Sequence, residues 1–140
     1  MGLKDGKLDV VLRLFYEYPS REFTVREVAR EAGMPKSTAQ AYLSELRKKK
    51  WISAQNSAIV SPLFKVKKAN YFVERLFEVG LVSHIQEKLA PSCIILFGSV
   101  AKGESVKESD IDLFVETVKK IDLDLDTFEK KLGHTLQLFR

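Results

Sequence analysis

The sequence predicts an α+β protein of two small domains, and three observations carry that prediction. Apolar residues in the first half recur at helical spacing and are punctuated by Pro and Gly. The second half has two short apolar runs of strand type on either side of a Gly-Ser pair. Charge divides along the same line: residues 1–68 hold 14 Lys and Arg against 7 Asp and Glu, while residues 69–140 hold 9 against 12. A basic half joined to an acidic half implies one part that meets a polyanion and another with a different task. The expected division is 1–68, a linking helix over 69–91, and a second domain over 92–140.

Composition narrows the class further. Apolar residues form 45% of the chain, enough for packed cores, and charged residues 30%. No apolar run approaches the roughly 18 residues of a membrane span, so no membrane partner is expected. Met1-Gly2-Leu3-Lys4-Asp5 shows no signal-peptide core, and the single Cys93 has no partner for an internal disulfide. A cytoplasmic location is the simplest expectation.

Leu8, Val11, Leu12 and Phe15 place a first helix over about residues 6–17, ended by Pro19-Ser20. Thr24-Val25-Arg26-Glu27 fits a capping box, in which the Thr24 hydroxyl accepts from the Glu27 amide and the Glu27 carboxylate reaches back. The helix it opens buries Val25, Val28 and Ala29 and ends at Gly33. Pro35 suits the first turn of a third helix with Ala39, Leu43 and Leu46 inward and Lys36, Ser37, Gln40, Ala41, Ser44 and Arg47 outward. Trp51-Ile52 and Ala58-Ile59-Val60 read as two strands joined through Gln55-Asn56-Ser57.

Two short helices about Ala32-Gly33-Met34 form a helix-turn-helix pattern. The segment Phe23–Ile52 resembles the winged-helix DNA-binding domains of prokaryotic transcription regulators, and the resemblance implies a double-stranded DNA partner. Small outward residues allow close approach in the major groove. Gln40 suits adenine, Ser37 or Thr38 suits bases or phosphates, and the flanking lysines, Lys48 and Lys49 among them, suit the backbone, with Lys36, Ser44 and Arg47 on the same DNA-facing side. Lys50, Lys65, Lys67 and Lys68 extend the basic run. Basic residues at a helix end also complement its dipole, and winged helices serve protein contacts too, so a purely structural adaptor stays open.

From Asn70 to Leu89 the residues Phe72, Leu76, Val79, Val82, Ile85 and Leu89 keep helical spacing, with Gly80 as a break. This stripe offers either an intramolecular core or a face for a homodimer. Beyond Pro91, Ile94-Ile95-Leu96-Phe97 enters Gly98-Ser99, and Ser109-Asp110-Ile111-Asp112-Leu113-Phe114-Val115 follows. Alternation puts Asp110 and Asp112 on one strand face and Ile111, Leu113 and Val115 on the other.

Gly98-Ser99-x10-Asp110-Ile111-Asp112, with Lys102, Gly103 and Ser109, resembles the signature of minimal nucleotidyltransferases in the polymerase-β-type superfamily. The likeness spans residues 92–140 and implies a small mixed sheet with flanking helices. It further implies transfer of a nucleoside monophosphate from a magnesium-bound triphosphate, ATP first among them, to a hydroxyl acceptor. In that reading Asp110 and Asp112 are catalytic and hold Mg2+, while Gly98, Ser99 and Lys102 hold phosphates. Relatives of this kind act as antitoxins, so a toxin-like protein acceptor is implied as well.

One departure limits the reading. The family's third carboxylate falls where this chain has Gln137, within Leu132-Gly133-His134-Thr135-Leu136-Gln137-Leu138-Phe139. An amide brings neither charge nor basicity. The expected function is a nucleotidyltransferase coupled to a DNA-binding winged helix; the alternative is a DNA-binding regulator whose second domain binds nucleotide, or only dimerises, without catalysis. Asp122, Asp124 and Asp126 are expected at the N-terminus of a helix over Thr127–Leu132 rather than in the site.

Overall fold

Local capping signals set several of the helix ends in the computed structural model, which describes residues 5–140. The reading of Met1–Lys4 lies outside the described residues. The chain divides into two units, residues 1–64 and 65–140.

In the first unit α1 (Asp5–Glu17), α2 (Val25–Ala32) and α3 (Lys36–Lys48) enclose Val11, Phe15, Phe23, Val28, Ala39, Tyr42, Leu43, Leu46 and Ile52. Tyr42 joins Ala39, Leu43 and Leu46 on the buried face of α3, one residue more than the predicted stripe. Gly33 adopts the left-handed conformation at φ 65° and closes α2. Pro35 stands just before α3 as its cap, not within its first turn, because its ψ of 149° keeps it extended.

The capping box at α2 is complete: Glu27 N donates to Thr24 Oγ1 at 3.1 Å and Thr24 N to Glu27 Oε1 at 3.0 Å. Arg21 donates to the other Glu27 oxygen. The Thr24 amide first, then the Arg21 and Thr24 side chains, hold the Glu27 carboxyl down at about 2. A carboxyl depressed in the folded state stabilises it above the ordinary value of 4.5 and ceases to do so as pH falls towards 2. Thermal melts between those limits should therefore show a loss of stability that Glu27→Gln flattens; an identical pH profile in the variant would contradict this.

The predicted wing is shorter than two strands. Ile52 and Ala58 make a single antiparallel bridge, flanked by Ser53 N to Ser57 O at 2.8 Å and Ile59 N to Trp51 O at 2.9 Å. Asn56, at φ 58°, turns the chain back. It also ties the wing down, accepting from Arg47 through Oδ1 and donating to the Phe23 carbonyl at 3.0 Å, while Phe23 N donates to the Asn56 carbonyl at 2.9 Å.

The second unit takes in most of α4 (Pro62–Glu78), then α5 (Leu81–Leu89), β1 (Cys93–Phe97), α6 (Gly98–Ala101), β2 (Ile111–Glu116), α7 (Asp126–Leu132) and β3 (Leu136–Phe139). The sheet order is β1-β2-β3, with β1 antiparallel and β3 parallel to β2. Residues 69–91, read from sequence as a linking helix, hold the later part of α4 and all of α5. Phe72, Leu76, Val79, Leu81, Ile85 and Leu89 share one core with Ile111, Leu113, Val115, Leu132 and Leu136. The physical reason is that a stripe this apolar must be covered, and the inner face of the sheet covers it. Gly80 ends the first helix and opens the second at φ 85°. α7 starts at Asp126, where Asp126 N donates to Asp124 Oδ1 at 3.1 Å. No described helix is long and apolar enough to cross a membrane.

Candidate functional site

Strand register builds the site in the second unit. Phe97 lies opposite Asp112 across the antiparallel pair, and Asp112 lies beside Gln137 across the parallel one. Residues in register point to the same side of a sheet, so Asp112 and Gln137 share its outer face while Ile111, Leu113 and Leu136 are buried on the inner one. Asp110, two residues before Asp112, accepts from Gln137 Nε2 through Oδ2 at 2.9 Å. Asp110, Asp112 and Gln137 therefore form one cluster, and Gln137 stands where the third carboxylate was expected.

Gly98 bends the chain out of β1 at φ 80°, a conformation that favours glycine. A methyl group there would stand 2.4 Å from Asp112 Oδ2, so the Gly-Ser turn is packed directly against one carboxylate. Ser99 follows in the same turn and is half-buried, and Lys102 caps α6 with its side chain exposed. Glu116 is at the opposite end of β2, paired with Cys93, and takes no part.

Three hydrogen bonds behind this cluster hold it in place. His134 is 95% removed from solvent, and its Nδ1 donates to the Ser109 carbonyl at 2.7 Å while its ring meets Phe72 edge-on. Ser109 Oγ accepts from Val106 N at 2.9 Å, and Ile111 N donates to the Thr135 carbonyl at 2.9 Å. The residues on either side of Asp110 are thus fixed. Lys68, grouped with the basic run from sequence, is instead fully buried and donates to the Ser105 carbonyl.

Two aromatics on the site face escaped the sequence reading. The rings of Phe97 and Phe139 lie 5.4 Å apart, partly exposed beside Asp112 and Gln137. Alternation contained the signal, since Phe139 is two residues beyond Gln137, but both residues look like ordinary strand core until the open face is known.

In the first unit Lys36, Ser37 and Gln40 are exposed along the start of α3, with Thr38 and Ser44 half-buried. Lys48 and Lys49 are exposed at its end. Arg47 is turned to Asn56 and ties helix to wing, so its guanidinium is already engaged.

Residues 10–55 match the family model of the IclR helix-turn-helix domain. Residues 81–138 match that of the polymerase beta nucleotidyltransferases. The chain joins an N-terminal helix-turn-helix domain to a nucleotidyltransferase-like domain. No curated protein and no solved structure gives a significant match.

In the nucleotidyltransferase-like domain, the match begins at Leu81, so it takes in α5 as well as the sheet. Among the described residues, no group of three or more His, Cys, Asp and Glu is placed to hold a metal ion. Two carboxylates still suit one magnesium ion, which is commonly held by one or two carboxylates together with substrate phosphates. In the helix-turn-helix domain, the match covers most of α1, all of α2 and α3, and the beginning of the wing.

Proposed function

We propose that this chain is a DNA-binding protein whose nucleotidyltransferase-like domain binds a magnesium nucleoside triphosphate, ATP first among them, but transfers from it poorly. The observation that carries this reading is the Gln137 amide bonded to Asp110 at the third-carboxylate position. An uncharged amide cannot serve as base, and its N–H occupies an Asp110 oxygen that a cation would otherwise use. Asp110 and Asp112 would hold magnesium brought in with the triphosphate, where the ion would neutralise phosphate charge. Gly98 lets the turn pack directly against Asp112, Ser99 offers a hydroxyl donor, and Lys102 adds a cation. Phe97 and Phe139 give a base an apolar surface, as aromatic side chains do elsewhere for nucleobases.

On the DNA side, α3 presents Ser37, Thr38, Gln40 and Ser44 to base edges and the outer phosphates, and Lys36, Lys48 and Lys49 supply the salt-dependent part of binding. Arg47 is left out of this set because Asn56 holds it.

Titration calorimetry with magnesium-ATP tests the nucleotide reading. The expected result is saturable heat that disappears in Asp110→Ala/Asp112→Ala, with little pyrophosphate released by the wild-type chain. Heat that survives the double substitution, or wild-type turnover at the rates of ordinary transferases, would overturn it.

A further inference from the structure

We propose that α4 pairs with α4 of a second copy of this chain, antiparallel, through the helix face opposite its core. Phe72 and Leu76, on the stripe that sequence offered as a dimer face, are consumed by the core of the second unit. The other side of the helix carries Val66, Asn70, Val73 and Phe77, spaced 4, 3 and 4 residues apart. Val66, Val73 and Phe77 are 54%, 38% and 62% exposed, and Asn70 is exposed as well. This is the heptad spacing of a two-helix seam, with three apolar residues and one Asn. Surface helices otherwise place polar residues here.

Charge selects both the occupant and its direction. Lys67 and Glu74 flank the seam on the same edge, both exposed, and neither forms an ion pair among the described residues. In an antiparallel pair this edge meets itself. Val66 then packs against Phe77 of the other copy, Asn70 against Val73, and Lys67 comes within reach of Glu74. The two-fold axis repeats each contact, so four apolar or Asn layers and two ion pairs form from one short surface. Closed two-fold dimers require this self-complementarity. A parallel pair would set this edge against Ala69 and the core residue Leu76, leaving both charges without a partner. A foreign partner has no comparable reason to match a surface already matched to itself. The pairing does not depend on the nucleotide reading.

Sedimentation equilibrium of the full chain over a concentration series tests it. The wild-type chain should show a monomer–dimer equilibrium. Lys67→Glu and Glu74→Lys should each weaken the dimer about tenfold, since two exposed ion pairs become repulsive. The combined Lys67→Glu/Glu74→Lys chain should recover the original affinity, and Val73→Glu should abolish pairing. Circular dichroism melts confirm that these surface variants stay folded. A chain still monomeric at about 1 mM overturns the proposal. So does a dimer indifferent to Val73→Glu, and single charge variants that dimerise as well as wild type overturn the antiparallel register.

Discussion

With water or an added hydroxyl compound as acceptor of the nucleoside monophosphate, Gln137→Asp should raise magnesium-dependent pyrophosphate release from ATP by about 10²–10⁴-fold, the usual contribution of a base positioned to take the acceptor's proton. The register makes the substitution local. Residue 137 lies beside Asp112 and within bonding distance of Asp110, so a carboxylate there enters an existing cluster without any rearrangement of strands. It also removes the N–H that now occupies Asp110. A second effect has the opposite sign and needs no turnover. Three carboxylates on one open sheet face repel, so the variant should melt below wild type in the presence of a chelator and recover on adding magnesium. Gln137→Asn keeps the position neutral and should do neither. A Gln137→Asp chain that binds magnesium-ATP and shows the metal-dependent melt, yet releases no more pyrophosphate than wild type, would mean that the missing charge was not what limits transfer.

Much of this site was legible before any coordinates, because strand alternation is a geometric rule with period two. Asp110 and Asp112 had to share a face, and with Leu136 and Leu138 turned inward Gln137 had to face outward. The complete capping box at Thr24 and Glu27 and the left-handed Gly33 were legible for a similar reason: each is a local solution to unpaired amides or carbonyls at a helix end. What escaped depended on contacts far apart in sequence. Lys68 reads as one more surface cation in a basic run, and only the loop at Ser105, 37 residues on, shows that it is buried. Asn56 reads as a turn residue, yet its side chain and backbone also secure Phe23 and Arg47. The helices over 69–91 showed their apolar stripe plainly; what periodicity alone left open was whether that stripe faced its own sheet or another molecule.

Gly98→Ala and Gly103→Ala should separate binding from stability, although both put a methyl group on a left-handed residue. At Gly103, with φ 69°, the added carbon would stand 2.1 Å from the backbone oxygen of Lys65. Neither side of that contact can rotate away, so the loop must leave the start of the second unit. Conformational strain and overpacking together make this about 3 kcal/mol, or a fall in melting temperature of about 12–24 °C for a unit of this size. At Gly98 the close atom is a side-chain oxygen, Asp112 Oδ2, at 2.4 Å. That carboxylate can swing outward on its own torsions, leaving about 1–2 kcal/mol of backbone strain. The swing moves one of the two carboxylates off the phosphate turn, and a displacement of about 1 Å in such a group is enough to cost about 10²-fold. Calorimetry with magnesium-ATP beside thermal melts gives both readouts: Gly98→Ala should lose affinity while staying largely folded, and Gly103→Ala should lose stability first. Equal affinity in Gly98→Ala and wild type would show that Asp112 does not need its place against the turn, and with it the proposed phosphate cradle would fail.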